Sequence, residues 1–239
     1  MHRSPLRTLF AAAMVTTWIG MNAAHASPIL AVNFTPDSGH SEAGFDNFVE
    51  TDGGAPHTQT ISGIEITVDS PVGGFRSVDR DSKGEHGIYV DRGYDLPELT
   101  AGWFGNEGNG AVLTVTLDGA DLGAGWFEWT SWHVDQRNQS GTMDIEVSTD
   151  GGASFATEAT DFDIVDYVTD NFVGAPNPFS FTFTSNGTDD VLVRFTSDNN
   201  SDNFNVVNGF QLEIPEPASL VLLGLGAIGL LTRRPPRRG

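Results

Sequence analysis

Six separate stretches of this chain carry apolar residues at every second position, and that period leaves little freedom of fold. Ile64, Ile66 and Val68 alternate with Glu65, Thr67 and Asp69. Leu113, Val115 and Leu117 do the same, as do Met143, Ile145 and Val147, then Phe179, Phe181 and Phe183, then Val191, Val193 and Phe195; Phe210, Leu212 and Ile214 close the set. A two-residue period puts one side of each segment in a core and the other in water, which is the signature of half-buried strands. Asp118-Gly119, Asp150-Gly151-Gly152 and Asn186-Gly187 separate the runs with turn chemistry. No segment of the middle region has a 3.6-residue period, although Leu96 to Phe104 could form one short helical turn after Pro97. No repeat of 20–50 residues is present, which argues against a solenoid or propeller. The expectation is an all-β, antiparallel β-sandwich of jelly-roll type.

The 239 residues divide into three parts. Residues 1–26 read as a secretory signal peptide. Arg3 and Arg7 make a positive start, Leu9 to Met21 is a mostly apolar stretch, and Ala24-His25-Ala26 is a small-x-small cleavage site. Residues 27–213 hold the sandwich. Residues 214–239 hold Pro215-Glu216-Pro217, an uncharged run from Ala218 to Leu231, and Arg233, Arg234, Arg237 and Arg238. An apolar run closed by arginines behaves as a stop-transfer segment, with the arginines on the cytoplasmic side. The run is roughly 15 residues against the ~20 of an untilted span, so the expectation is a short membrane helix.

Cysteine is absent, which excludes disulfides, thiol catalysis and Cys-ligated zinc. Residues 27–213 carry 31 acids against 6 bases, a formal charge of −25. Such a surface repels nucleic acid and attracts divalent cations. Calcium is the cofactor to consider. Asp198, Asn200 and Asp202 offer oxygens at alternate positions, as calcium loops do, without the glycine and distal glutamate of an EF-hand. Asp161, Asp163 and Asp166 form a second acidic cluster, and Asp79, Asp81 and Glu85 a third. A solvated turn is the plainer reading of each.

Trp126, Phe127, Trp129 and Trp132 crowd one segment. On a strand, Trp126 and Trp132 share one face while Phe127 and Trp129 share the other. An aromatic on the solvent face can stack on a sugar ring. Trp126, Trp129, Trp132 and His133 are therefore the candidate glycan-binding residues, and both faces being buried is the alternative. Ser131 and His133 are polar and share the Trp129 face, so Trp129 is expected to be the one that reaches solvent. Ser148-x-Asp150-x-Gly152-x-Ser154-Phe155 fits the Asp-box hairpin, in which the Asp accepts backbone N–H bonds across a turn and the Phe packs beneath. That motif is structural. No Gly-x-Ser-x-Gly, His-Glu-x-x-His or phosphate loop is present. With 31 acids, any pair of carboxylates could be nominated for glycoside hydrolysis, so abundance identifies none.

The C-terminal elements, in their order and at the chain end, resemble the PEP-CTERM sorting signal of Gram-negative bacteria. Such tails are also catalogued as an ice-binding protein C-terminal domain, which does not imply ice binding. The resemblance implies export, recognition of Pro215, Glu216, Pro217, Arg233 and Arg234 by an exosortase-type enzyme, and inner-membrane association before processing. Delivery to the cell surface or extracellular matrix, often alongside exopolysaccharide, would follow. Ile29 to Phe34 with Gly44-Phe45, Trp129 to Asp135, and Val206 to Leu212 resemble segments of galactose-binding-like and malectin-like jelly rolls. That second resemblance implies the fold and, by analogy, carbohydrate binding. The function expected is a non-enzymatic exported protein with a glycan-binding sandwich. The rivals are a secreted glycoside-active enzyme and an acidic, calcium-binding structural matrix protein.

Overall fold

Each alternating run becomes a strand, and the alternation sets which side meets the core. In the computed structural model the described residues are 28–36, 39–50, 56–79, 96, 98–135, 141–166, 178–198 and 204–215. Five strands form one sheet: β1 (Leu30–Thr35), β2 (Asp46–Val49), β6 (Ala124–Trp132), β10 (Phe179–Asn186) and β13 (Gly209–Glu213), in the order β10-β6-β13-β1-β2. The other sheet runs β3-β4-β5-β11-β8-β9-β7, with β12 also paired to β5. Its members are β3 (His57–Ile61), β4 (Ile64–Asp79), β5 (Gly102–Leu117), β7 (Val134–Asp135), β8 (Gly141–Ser148), β9 (Ala156–Asp166), β11 (Val191–Ser197) and β12 (Phe204–Val207). All neighbours are antiparallel except β1–β2 and β7–β9.

The chain passes between the sheets after β2, β5, β6, β9, β10 and β12, which makes the sandwich jelly-roll-like. Inward residues of both sheets merge into one core. Phe34 of β1 stacks on Phe104 of β5 across it, with ring centroids 4.8 Å apart. The β3–β4 hairpin closes through Ser62 and Gly63, both at positive φ (53° and 84°), as a tight two-residue turn requires.

One departure from the expected elements has a local cause. Asp118-Gly119 opens a single helical turn, α1 (Gly119–Leu122), because the Asp118 carboxylate accepts from the Ala120 and Asp121 amides at 2.8 and 2.9 Å. The short helical turn expected after Pro97 is present: the Thr100 amide donates to the Leu96 carbonyl and the Ala101 amide to the Glu98 carbonyl, both at 3.3 Å, before β5 begins at Gly102.

Val206 to Leu212, a single segment in the jelly-roll resemblance, spans two strands in different sheets. Buried asparagines make that switch tolerable. Asn205 donates to the carbonyls of Ala111 and Phe195 and accepts from the Asn106 amide. Asn208 donates to the carbonyls of Gly102 and Val134 and accepts from the Val134 amide. These side chains stand in for ladder bonds where the backbone leaves one sheet for the other. Gly209 follows because a Cβ there would lie 2.2 Å from the Val32 carbonyl oxygen. Among the described residues, no helix is long and apolar enough to cross a membrane.

Candidate functional site

The alternation along β6 holds, but the side expected to face water is the wrong one. Trp129 is completely buried, stacked on Phe210 with centroids 4.1 Å apart and planes 8° from parallel. Its neighbour Phe127 is buried beside Phe183. The polar residues that pointed Trp129 outward are themselves interior. Ser131 Oγ lies 2.7 Å from His133 Nε2, and His133 Nδ1 lies 2.7 Å from the Val206 carbonyl oxygen. A carbonyl can only accept, so Nδ1 carries the proton and Nε2 accepts from the serine hydroxyl. Phe162 and Phe195 pack around the ring. Burial, opposed in part by the bond to Val206, pushes the His133 pKa down to about 4. His133 is a neutral, satisfied core residue and offers no atom to a ligand, contrary to its expected role.

Trp126 and Trp132 share the outward face, as a strand demands. Only one of them is open. Trp132 is covered: Phe45 meets it edge-on at 5.5 Å, and Ala31 and Leu99 complete a small apolar cluster over that end of the sheet. Trp126 is 52% exposed at the other end. Thr184 of β10 lies directly across from it. One row further in, Glu128 pairs with Thr182 on one side and Glu213 on the other. Beyond that, Thr130 shares a 2.8 Å hydroxyl–hydroxyl bond with Ser180 and faces Gln211. An aromatic ring bordered by hydroxyls and carboxylates is the chemistry that packs against a sugar's C–H face and bonds its hydroxyls.

Sequence reading missed Glu128, Glu213 and the β10 hydroxyls as part of this surface. Their outward direction was legible from the alternation with Phe179, Phe181 and Phe183. That β10 and β13 flank β6 was not.

The Asp-box forms as expected at the β8–β9 turn. Asp150 accepts from the Ser148 and Ser154 hydroxyls and from the Ser154 amide, and these bonds bring its pKa down to about 2. Phe155 is half-buried, and the Arg194 guanidinium lies 3.9 Å over its ring while bonding Glu146 at 2.7 Å.

Of the calcium candidates, Asp198 is described, while Asn200 and Asp202 lie outside the described residues. The Asp198 amide donates to the Thr142 carbonyl at 3.0 Å, and its Oδ2 is buried without a hydrogen-bond partner. Among the described residues, no three His, Asp or Glu side chains converge as metal ligands. Asp81, Glu85, Ala24, Ala26, Glu216, Pro217, Arg233 and Arg234 also lie outside the described residues.

The last described residues, Ile214 and Pro215, follow directly on β13. Residues 213–238 match the PEP-CTERM protein-sorting motif. A chain bearing a PEP-CTERM motif is exported and destined for the surface or the extracellular space, and the motif is one processed by exosortase-type enzymes. No curated protein matches the chain. Solved structures with similarity include a family 35 carbohydrate-binding module from Clostridium thermocellum, at 13% identity and TM-score 0.34, covering 66% of this chain and 97% of that one. A family 61 carbohydrate-binding module in complex with β-1,4-galactotriose is 11% identical with TM-score 0.37, covering 62% and 86%. The exo-β-1,3-galactanase of Phanerochaete chrysosporium is 10% identical with TM-score 0.34, covering 66% of this chain and 29% of the enzyme. Likenesses of this size carry no argument about ligand or activity, and the reading of the site rests on its own residues.

Proposed function

We propose that this is a surface or matrix protein whose tail anchors it in the inner membrane until an exosortase-type enzyme removes it, and whose sandwich then binds glycan without catalysis. The observation that carries the binding half is Trp126, left 52% exposed on a sheet face lined with hydroxyls and carboxylates. The charge of −25 and the Glu128–Glu213 pair disfavour uronic-acid polymers, so the partner is a neutral exopolysaccharide. Affinity electrophoresis in gels containing neutral galactan or acidic alginate tests this. The protein should be retarded by galactan and not by alginate, and Trp126→Ala should run unretarded with an unchanged melting temperature. Equal mobility of parent and variant in every neutral polysaccharide would remove glycan binding from this face.

Calcium at 198–202 is the second reading, favoured by the buried, unpartnered Asp198 Oδ2. A cation bound only by the native state stabilises it by mass action. The melting temperature should fall when a chelator is added at constant ionic strength, and no change would dismiss calcium.

A further inference from the structure

Among the described residues each sheet ends in strands with one side unpaired, and three of these edges are closed to further pairing. β2 has four residues, and the Gln59 side chain takes the backbone of the last one, accepting from the Val49 amide at 3.4 Å and donating to the Val49 carbonyl at 2.6 Å. β3 has only five residues. β9 is longer, but register shifts interrupt its pairing with β8, Asp161 sits at a positive φ of 52°, and the strand carries Glu158, Asp161, Asp163 and Asp166. Short length, bulges and charge are the devices that keep a sheet edge from adding a strand.

β10 has none of them. Its eight residues, Phe179–Asn186, pair with β6 without a register shift, and no described strand lies beyond it. None of the eight is charged, in a sandwich whose formal charge is −25. In an antiparallel ladder alternate residues turn their N–H and C=O away from the partner, so every second residue of β10 presents both to the open side. Ser180, Thr182 and Thr184 are exposed on its outer face, while Phe181 and Phe183 are buried on its inner face.

We propose that this edge pairs with the same edge of a second copy, antiparallel about a two-fold axis at Thr182, so that two five-stranded sheets become one continuous sheet. Directly opposed residues of such a ladder share a face, so the register must set hydroxyl against hydroxyl and ring against ring. Centred on Thr182, it opposes Thr182 to itself, Ser180 to Thr184 and Phe181 to Phe183, all pairings that stabilise a sheet. Centring on Phe183 instead sets Phe181 against Ser185. The occupant is a second copy because the strand's pattern, read in the opposite direction, matches itself, as an isologous contact requires. An uncharged strand is also where two acidic copies meet with least repulsion. The pairing stands whether or not this face binds glycan.

The absence of cysteine makes the test direct. Single-cysteine variants of the full chain are oxidised in mild detergent, and covalent dimers are measured on denaturing gels. Thr182→Cys should cross-link at least tenfold faster than Thr60→Cys, an exposed position on the β3 edge. Ser180→Cys should not cross-link to itself, because its copy lies four residues along the ladder, about 14 Å away, but it should cross-link when mixed with Thr184→Cys. Raising the ionic strength should speed Thr182→Cys cross-linking by screening the repulsion between copies. Equal rates for Thr182→Cys and Thr60→Cys would overturn the proposal, because random collision would account for both. Self-cross-linking of Ser180→Cys as fast as that of Thr182→Cys would overturn it too, by placing the axis elsewhere. So would slower Thr182→Cys cross-linking in salt, because the copies would then be held by ion pairs that this edge does not contain.

Discussion

Trp126 and Trp132 stand on the same face of the same strand and end in opposite environments. Trp132 is roofed by Phe45 and Leu99. Trp126, three two-residue periods away, is bordered by Thr184 and the Glu128–Glu213 row. A strand's period decides the face a residue points to, but what lies over that face comes from distant segments, here those of Phe45 and Leu99. The Glu42 carboxylate fixes that roof by accepting from the Glu98 and Leu99 amides at 3.1 and 3.3 Å.

The sharpest way to break this contrast is to truncate the buried rings. Trp129→Ala should destabilise by roughly 3–5 kcal/mol, the usual range for a large aromatic lost from a core. Trp132→Ala should cost about 3 kcal/mol, at the low end, because its cluster is small and the roof can settle. Trp126→Ala should stay within about 0.5 kcal/mol, as exposed substitutions do. Urea unfolding of the three variants measures all of this. A Trp126→Ala loss comparable to that of Trp132→Ala would mean that both ends of the face are covered.

A second effect of similar size depends on pH. His133 titrates near 4 in the fold and near 6.5 in the unfolded chain. The unfolded state therefore binds more protons between those values, so stability is complete above about pH 6.5 and falls as the pH drops toward 4. The loss from this group is about 3 kcal/mol. Asp150, lowered from 3.8 to about 2, acts in a separate window: its contribution is present above 3.8 and is lost as the pH falls through 2. Melting temperatures of the parent and His133→Gln across pH 4–7 separate the two. The variant's curve should be flatter than the parent's, and parallel curves would show that the ring is not held neutral.

These effects mark how far the sequence could be read. The runs at Ile64, Leu113, Met143, Phe179, Val191 and Phe210 became strands with the expected inward residues, because a two-residue period is a local property; Ile214 is the exception, lying one residue past the end of β13 and 50% exposed. Ser131 and His133 misled the orientation of β6 because polar residues read as solvent-facing unless their partners are known. Those partners are each other and the Val206 carbonyl, 73 residues on from His133. The split at Asn208 was hidden for the same reason: its side chain completes a ladder with Gly102, 106 residues away. The open surface was half visible, since Trp126 was among the candidates, while Glu128 and Glu213 became neighbours only through the β6–β13 pairing.

That pairing supplies the smallest effect and the most discriminating one. Glu128 and Glu213 are directly opposite on the outward face, and like charges so placed repel. Neutralising one of them removes the repulsion without emptying any core volume. Glu128→Gln should therefore stabilise the protein by roughly 0.2–1 kcal/mol at low ionic strength. The gain should shrink in high salt, where exposed charges are screened. Paired urea titrations at the two ionic strengths, both with chelator present, provide the measurement. A loss of stability would reverse the picture of this end: the two carboxylates would then be held together by favourable contacts, and the open face beside Trp126 would be a preorganised polar site rather than a solvated one.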